Sequence, residues 1–327
     1  MTKLDELIKK ITKKHIYIQM HNYPDQDALA SALGLQSLLN FKNIDSTICF
    51  NGQIDKHNTL KMIEMLHIEV FNINDISIQS DDEIILVDGQ KGNVNMETLI
   101  GVEIACIDHH PIQDVTGYRF YDIRNDYGAC STIIGEYFIE NHIPISTFVA
   151  TGLLYGIKMD TGNLSRRVSF SDIDVFCNLY KIANIDVLRV FENSSLTKSD
   201  LVAYQDAISN LKIVGRIGIA KIGDDCSEAI IGSISDFLLA LAEVDVTLVY
   251  SYRVGGLKFS VRSEYKSVDA GKVIKEALKE LGDGGGHPTM AAGFVPNIKT
   301  KEEVLKVAEL VEKRVLNIVT SIDIVTN

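Results

Sequence analysis

The chain has 327 residues, of which 46% are hydrophobic and 23% are charged. This composition is typical of a folded protein with a large core, and it excludes collagen-like, coiled-coil and disordered chains. The length is typical of two domains. The formal net charge of −12, from 32 basic and 44 acidic residues, argues against binding to long duplex nucleic acid, because each neutralised phosphate requires a Lys or Arg.

The five cysteines are widely spaced and form no CxxC pair. This pattern argues against a disulfide framework or a zinc ribbon, and it fits a reducing compartment. The N-terminal sequence MTKLDELIKKITKKHIYI lacks the apolar segment and cleavage site of a signal peptide. We find no run of about 18 apolar residues, the length that crosses a membrane. We therefore expect a cytoplasmic protein without a membrane partner.

Hydrophobic periodicity predicts alternating helices and strands in the first half of the chain. After an opening helix at 4–11, strands are predicted at 16–20, 46–50, 83–89 and 103–110, and helices at 27–40, 57–67, 127–141 and 145–159. The alternation indicates right-handed βαβ units, and the nearly continuous apolar strands fit a sheet covered on both faces. We expect an α/β fold with an N-terminal doubly wound parallel sheet, over residues 1–185.

The second half has a different character. A polar helical linker is predicted over 186–211, followed by a smaller α+β domain over 212–327. Its strands are predicted at 212–223, 244–254 and 256–265, where β-branched and aromatic residues are frequent. Helices are predicted at 235–243, 269–281 and 301–317. The acid excess lies in the first 210 residues, which contain 28 acidic and 17 basic side chains.

Ionisable residues follow three strands of the first domain at the point where each apolar run ends. The segments are HNYPDQD after the first strand, Asp88 after IILV, and Asp108, His109 and His110 after IACI. Ligands of open parallel sheets bind outside the carboxyl ends of the strands, so we expect these side chains to converge. Asp160, in MDTG, is a further candidate at the end of an apolar helix.

Crowded carboxylates repel one another, and divalent metal ions are the simplest compensation. Mixed oxygen and imidazole ligands suit manganese, iron or zinc better than calcium. Each residue taken alone is more typical of a helix cap or of a hydrogen-bonded surface group. The combination of HxxxDxD, a lone Asp and DHH after three separate strands predicts a metal site.

These segments resemble the signature motifs of the DHH phosphoesterases: HNYPDQDALAS, VDG, DHHP and MDTG. The second half is similar to the associated substrate domain in KFSVRSE and GDGGGHPTMAAGF. The resemblance covers nearly the whole chain and is strongest to the stand-alone group of nanoRNases and 3′-phosphoadenosine 5′-phosphate phosphatases. It implies two Mn²⁺ ions per site, with Mg²⁺ or Co²⁺ as substitutes, and a substrate phosphate held between the domains.

The resemblance also implies a role for each residue of the site. One ion would be bound by His21 and Asp25, the other by Asp27, His109 and Asp160, and Asp88 would bridge both. Asp108 would orient His109 through its ring N–H. His110 would face the substrate phosphate, so that Asp88, Asp108 and His110 form the catalytic set.

The substrate phosphate needs cations from elsewhere, because four liganding aspartates leave a two-metal site nearly neutral. Arg262 fits bidentate phosphate recognition, although a strand Arg is ordinarily solvated. The glycines Gly284, Gly285 and Gly286 before His287 are typical of a helix C-cap and loop, or of a backbone that approaches a phosphate closely. We expect substrate binding by His110, Arg262, the three glycines and His287.

Three positions depart from the family pattern. Ala30 stands where Gly often occurs, Leu164 where an aromatic residue is common, and Pro288 where Lys is usual. The first is expected to have little effect. The second alters a place for nucleobase stacking, and the third removes one phosphate contact, so both affect the choice of substrate. Arg166 and Arg167 are left outside the predicted site.

Several functions fit these features. The leading hypothesis is a two-metal phosphohydrolase for short oligonucleotides or 3′-phosphoadenosine 5′-phosphate, working as a monomer or a homodimer. An alternative is a phosphodiesterase of cyclic or linear signalling dinucleotides, such as cyclic di-AMP and pApA. A family II inorganic pyrophosphatase is disfavoured, because Arg262 and the GGGH segment have no counterpart there. A nucleotide sensor without turnover is disfavoured because all expected ligands are present.

Overall fold

The computed structural model describes residues 1–54, 56–93, 95–193 and 196–326, without the side chains of 323–326. The chain forms two compact units, Met1–Ser195 and Leu196–Asn327. The two helices within the predicted linker are divided between the units. None of the described helices combines the length and the apolar character that a membrane-spanning segment requires.

The first unit is built from six strands and seven helices within the part of the chain that is described. The strands are β1 (His15–Met20), β2 (Asp45–Phe50), β3 (Val70–Asn72), β4 (Glu83–Val87), β5 (Val102–Asp108) and β6 (Phe120–Ile123). The helices are α1 (Lys3–Ile8), α2 (Gln26–Phe41), α3 (His57–Met65), α4 (Cys130–Glu140), α5 (Thr147–Asp160), α6 (Phe170–Tyr180) and α7 (Ile185–Asn193). A short 3₁₀ helix follows β3 at Ile73–Asp75.

The six strands form one parallel sheet in the order β3-β2-β1-β4-β5-β6. The strand order reverses between β1 and β4, as in doubly wound folds, and this reversal creates the crevice where ligands of such sheets bind. The predicted α/β class with an N-terminal parallel sheet is confirmed. All six strands point the same way, so the residues that follow β1, β4 and β5 lie at one edge, named here the carboxyl edge.

The two faces of this sheet are covered differently. One face packs against helices in a cluster that includes Ile18 and Ile85 of the strands, with Leu35 of α2 and Leu153 of α5. The other face forms a small cluster whose buried members are Ile84, Leu86, Met96 and Cys106. The connections from β4 to β5 and from β5 to β6 contain no helix within their described residues. Connecting segments therefore cover the face on which a doubly wound fold would place a second helical layer.

Small residues allow α2 and α5 to approach closely. A Cβ atom added at Gly156 of α5 would lie 3.1 Å from the Cβ of Ala30 and 2.8 Å from the Oδ1 of Asp27. A Cβ added at Gly34 of α2 would lie 3.1 Å from the side chain of Leu153 on α5. Because α2 begins directly after the first motif and α5 ends at the fourth, this close packing sets the spacing between Asp27 and Asp160.

The second unit is a mixed α+β structure, as predicted. The strands are β7 (Lys212–Val214), β8 (Ile217–Lys221), β9 (Val246–Arg253), β10 (Gly256–Ser263), β11 (Asp283–Gly286) and β12 (Met290–Pro296). The helices are α8 (Asp200–Asn210), α9 (Glu228–Leu239), α10 (Ala270–Ala277) and α11 (Lys301–Thr326). The strands form one sheet in the order β11-β12-β10-β9-β8-β7, in which only the β8–β9 pair is parallel.

The helices of this unit cover both faces of its sheet. Leu248 and Val261 pack with Ile274 of α10 and Val311 of α11 in one cluster. Residues of α8 and α9, among them Ile234, pack with other strand residues in a second cluster. The strand β11 lies at one edge of the sheet, so its glycines occupy a regular strand rather than the loop that the sequence predicted.

Candidate metal centre

The structure brings all six predicted metal ligands to the carboxyl edge of the first sheet. The strands β1, β4 and β5 are neighbours, so the residues that follow them meet at this edge. The six side chains form two triads. Within each triad, every residue has one potential ligand atom that lies within 4.8 Å of those of the other two. The triads are His21, Asp25 and Asp88, and Asp27, His109 and Asp160.

Asp88 lies between the two triads. Its Oδ2 is 3.6 Å from the Nε2 of His21, and its Oδ1 is 3.4 Å from the Nε2 of His109. The side chain is 2% exposed, and its backbone is left-handed, with φ of 57°. Such a conformation is uncommon for a residue other than glycine, and it is typical of functional sites. Each carboxylate oxygen therefore faces a different imidazole.

Main-chain oxygens fix the orientation of both imidazoles. The ring Nδ1 of His21 lies 2.8 Å from the carbonyl oxygen of Asn22, and the Nδ1 of His109 lies 3.3 Å from that of Tyr127. A carbonyl only accepts, so each Nδ1 carries the proton and donates it. In the neutral ring, the Nε2 then presents a lone pair, which is the form of histidine that binds a metal.

Helix N-termini hold two of the aspartates. Asp25 caps α2, since its Oδ1 accepts the backbone N–H groups of Asp27 and Ala28 at 3.0 and 3.1 Å. The carboxylate of Asp27 accepts the N–H groups of Cys130 and Ser131, at the start of α4, at 2.7 and 2.9 Å. The helix ends favour the charged forms of both carboxylates. Asp25 thus combines the capping role that its position predicted with a place in the first triad.

The partner expected for Asp108 was wrong. Asp108 does not contact the ring Nδ1 of His109; its Oδ1 lies 2.8 Å from the Nδ1 of His110 and accepts the backbone N–H of His109. Its Oδ2 accepts the side-chain amide of buried Gln90 at 2.7 Å. The reason is geometric, because the backbone turns directly after β5 and directs the Nδ1 of His109 to the carbonyl of Tyr127. Asp108 therefore positions His110.

The electrostatics of the site show how strongly the carboxylates interact. Burial and the charges of Asp88 and Asp160 raise the pKa of Asp27 well above its usual range. Burial and the charges of Asp25 and Asp88 likewise raise the pKa of Asp160. Burial opposes a charge on His109, but Asp160 and Asp88 outweigh it and raise the pKa of its ring well above the ordinary value.

These side chains fit divalent metal ions. The Oδ1 of Asp88 and the Nε2 of His109 are buried and have no well-aligned hydrogen-bond partner within the described residues. The Nε2 lies 3.1 Å from the Oδ2 of Asp160 and 3.4 Å from the Oδ1 of Asp88, so one ring nitrogen and two carboxylates converge on the same space. A cation in that space satisfies all of these atoms. Carboxylate and imidazole donors together suit manganese or zinc.

The second unit contains a cavity of about 300 Å³ that includes four of the predicted substrate residues, Arg262, Gly285, Gly286 and His287. Ile231, Phe259 and Met290 contribute an apolar part of its lining. The Nε of Arg262 lies 2.7 Å from Asp236 Oδ1, and its Nη1 donates to Ser260 Oγ at 2.9 Å. These two contacts, both with residues of the second unit, fix the orientation of the Arg262 guanidinium group.

The three glycines of β11 occur at their positions for different structural reasons. Gly286 has φ of 147°, and a Cβ there would lie 2.6 Å from the main-chain oxygen of Met290. A Cβ at Gly284 would contact Ile274 of α10 at 3.2 Å. A Cβ at Gly285 would meet nothing within 4 Å. Packing thus accounts for Gly284 and Gly286, whereas Gly285 keeps the cavity wall open.

Sequence reasoning missed residues that support the site. Gln90 contacts Asp108, Gly156 makes room for Asp27, and Tyr127 contributes a main-chain oxygen. Gln90 follows Asp88 by two residues, and this proximity in sequence could have indicated its place beside the site. The contact of Tyr127 is made by its main chain, so the identity of its side chain does not reveal it. Leu164 packs partly buried against the first unit's core, and Arg167 has a left-handed backbone.

Two family models match the chain in consecutive order. Residues 15–157 match the DHH family, N-terminal domain, and residues 214–314 match the DHHA1 domain. The chain thus has a DHH domain followed by a DHHA1 domain. The first match contains His21, Asp88 and His109, and the second contains Arg262 and His287, so this DHH chain has both domains that its motifs predicted.

Curated relatives of this DHH protein share about a quarter of its residues. An uncharacterized protein of Methanocaldococcus jannaschii is 28% identical over 94% of this chain and 64% of that protein. The bifunctional oligoribonuclease and PAP phosphatase NrnA of Mycoplasma genitalium is 24% identical over 97% of this chain and 98% of that protein. The cyclic-di-AMP phosphodiesterase GdpP of Bacillus subtilis is 23% identical over 91% and 48%. The chain thus spans less than two thirds of the first and third relatives.

Solved structures show the same fold. An exopolyphosphatase-related protein from Bacteroides fragilis has a TM-score of 0.77 at 19% identity, and the match covers 96% of each chain. At this identity the likeness concerns the fold alone.

Proposed function

We propose that this chain is a phosphohydrolase that uses two divalent metal ions to cleave short nucleotides. Its substrates would be oligonucleotides of a few residues, which release mononucleotides, or 3′-phosphoadenosine 5′-phosphate. The observation that carries the proposal is the position of Asp88, whose two oxygens face the Nε2 atoms of two differently placed imidazoles. A full-length relative, the NrnA protein of Mycoplasma genitalium, is named for both activities.

The ligand set of each ion follows from the two triads. His21, Asp25 and Asp88 would hold one ion, and Asp27, His109 and Asp160 would hold the other together with the second oxygen of Asp88. Two such ions activate water and neutralise the charge of a phosphate when they are bound. We propose Mn²⁺ in the cell, with Mg²⁺ or Co²⁺ as substitutes, because the ligands combine oxygen with imidazole.

The remaining polar residues would act on the substrate. Asp108 fixes the Nδ1 proton of His110, so the Nε2 of that ring is the atom that would meet the phosphate. In the second unit, Arg262, His287 and the backbone of Gly284, Gly285 and Gly286 would bind a further phosphate or the sugar. The apolar lining of their cavity favours a substrate that carries a base, and it argues against inorganic pyrophosphate.

The size of the substrate is limited by charge. The first 210 residues contain 28 acidic and 17 basic side chains, so a long polyanion would meet net repulsion. We therefore expect no binding of long duplexes. The cytoplasmic location and the homodimeric state of this protein are predictions made from its sequence.

A second candidate is the hydrolysis of signalling dinucleotides, cyclic di-AMP or linear pApA. The likeness to GdpP over 91% of this chain favours it. The linear form requires the same chemistry as a two-residue oligonucleotide, so only the cyclic form distinguishes this candidate.

One panel of substrates tests these proposals. The purified protein is incubated with Mn²⁺ and, in parallel, pAp, pApA, a five-residue oligonucleotide, cyclic di-AMP and pyrophosphate. We expect turnover of pAp or of the linear oligonucleotides, and no turnover after chelation. The variant Asp88→Asn should lose activity, whereas Asp126→Asn, a change at an exposed residue outside both triads, should retain it. Full activity of Asp88→Asn, or turnover of pyrophosphate alone, would refute the proposal.

A further inference from the structure

A second recess lies at the carboxyl edge of the first sheet, next to the candidate metal centre. It is an open groove of about 680 Å³ lined by Tyr23, Asn51, Gly52, Gln53, Asn72, Asn74 and Asp75. Tyr23 lies between His21 and Asp25 in the first motif. Asn51 and Asn72 are at the ends of β2 and β3, the strands that follow β1 toward the sheet's edge. The groove thus continues the carboxyl edge away from β4.

Tyr23 is held in an exposed and strained position. Its side chain is 66% exposed, and its backbone is left-handed, with φ of 57°. Its backbone N–H donates to the carbonyl of Asn51 at 3.0 Å. A Cβ added at Gly52 would lie 2.8 Å from the Tyr23 ring, so the ring packs directly on that glycine. An aromatic ring fixed in solvent at an energetic cost indicates a binding role.

The wall beside Tyr23 is rich in amides and carries one exposed carboxylate, that of Asp75. The Nδ2 of Asn72 donates to the carbonyl of Gly52 at 2.9 Å, and its Oδ1 accepts the N–H of Asn74 at 3.0 Å. The first of these bonds ties the end of β3 to the segment that follows β2. The described residues that line the groove include no Lys or Arg. Side-chain amides recognise the edge of a planar heterocycle, whereas a phosphate would require a cation.

We infer that this groove binds a nucleobase of the substrate, stacked on the ring of Tyr23 with its edge toward the amide side chains. The inference rests on the proposed function, because it assumes that the phosphate bound at the metal centre belongs to a nucleotide. Bases of any sequence stack on an aromatic ring, so the groove would retain oligonucleotides without reading their sequence. It also gives the first unit its own contact to a base.

Two variants of Tyr23 test the inference. Tyr23→Ala removes the ring, and we expect the KM for pApA to rise about 10-fold while kcat stays within about twofold of the wild type, since the metal ligands are unchanged. Tyr23→Phe keeps the stacking face and should behave like the wild type. Tyr121→Ala is the matched control, because Tyr121 is also exposed, at 49%, but lies on β6 at the other side of the sheet.

A substrate control separates stacking from general damage. The analogue of pApA that lacks both bases should be cleaved equally by the wild type and by Tyr23→Ala. An unchanged KM for pApA in Tyr23→Ala, or an equal loss on the analogue without bases, would overturn the inference.

A binding measurement separates the groove from the proposed function. Calorimetry with Mn²⁺ and a pApA analogue whose bridging ester oxygen is replaced by methylene measures affinity without cleavage. Weaker binding by Tyr23→Ala supports the groove even if pApA is never hydrolysed, and that result would refute only the proposed function. Hydrolysis of pApA with equal affinities of both proteins would refute only the groove, and absence of binding to the wild type would refute both.

Discussion

The two units place their polar residues in opposite electrostatic settings. In the first unit, the aspartates of the candidate metal centre lie close together, and no Lys or Arg forms an ion pair with them within the described residues. In the second unit, both cations of the cavity are already paired. Arg262 contacts Asp236, and Lys258 contacts Glu228, each at 2.7 Å.

This difference determines how each region meets a ligand. The first site favours the entry of cations, because buried like charges are mutually unfavourable. The second is neutral beforehand, and a phosphate would replace one local acid as the partner of Arg262. Loss of one side chain should therefore abolish the function of the first site and only weaken that of the second.

The largest expected effect comes from Asp160→Asn. This change removes the charge of one proposed ligand in the second triad. Asp160 lies at the end of α5, where the side chain is partly exposed and the helix should remain folded. We expect kcat to fall by about 10³-fold, more than for residues that only support a ligand. The rise in Tm that Mn²⁺ produces in the wild type should also shrink, since bound ligands stabilise the folded state.

Asp174→Asn on α6 is the control for this prediction, because Asp174 is exposed and lies outside both triads. It should retain activity and the response to Mn²⁺. A wild-type response to Mn²⁺ in Asp160→Asn would show that Asp160 is not a ligand, and the contrast between the units would fail.

A smaller, graded effect is expected from Arg262→Ala. A hydrogen bond to a charged group contributes about 1.5–3 kcal/mol, so KM should rise about 10- to 150-fold with a modest change in kcat. Asp236→Asn removes the local partner of Arg262 and should leave KM unchanged or lower it. Steady-state kinetics with pApA measures both variants, and a loss confined to kcat in Arg262→Ala would contradict the phosphate-binding role.

The glycines of β11 separate folding from binding within the second unit. Gly286→Ala should lower the free energy of unfolding by about 2 kcal/mol, because its left-handed backbone and the nearby oxygen of Met290 leave no room for a Cβ. Gly285→Ala should change stability by less than about 0.5 kcal/mol but raise KM, since its Cβ would enter the cavity wall. Denaturant titration of both variants measures the difference, and equal stabilities would contradict this explanation.

The smallest effect concerns a paired carboxylate at the other end of β4. Burial opposes the charge of Glu83, but Thr12 and Arg119 outweigh burial and lower the pKa of Glu83 below its ordinary value. Its contribution to stability is therefore present above about pH 4.3, the unfolded value, and is lost as the pH falls through the folded pKa. Glu83→Gln should cost about 1–2 kcal/mol at pH 7, with the difference shrinking below pH about 4. A constant difference from pH 3 to pH 7 would refute this.

Sequence reasoning predicted the convergence of the metal ligands because three apolar runs each end in ionisable residues, and parallel strands bring such ends together. It identified β1, β4 and β5 from these runs, and β2 from the segment STICF. It did not identify β3 and β6, which have three and four residues, too few for an alternation to be recognised. It also misread β11, since glycine is depleted in strands and its place there depends on the close approach of α10.

The local partners at the site were harder to predict than its members. The neighbours of Asp108, His109 and His110 depend on the direction of the backbone after β5, which no residue pattern specifies. The covering of the second sheet face by connecting segments was missed for a similar reason. Apolar strands predict that both faces are covered, but not whether a helix or a loop covers them.

Two main-chain carbonyl groups, those of Asn22 and Tyr127, determine which ring nitrogen carries the proton in the two imidazoles of the candidate metal centre. A point mutation can replace any side chain, but it leaves a peptide oxygen in place. Substitution of Asn22 or Tyr127 would therefore keep the hydrogen-bond acceptor of each Nδ1.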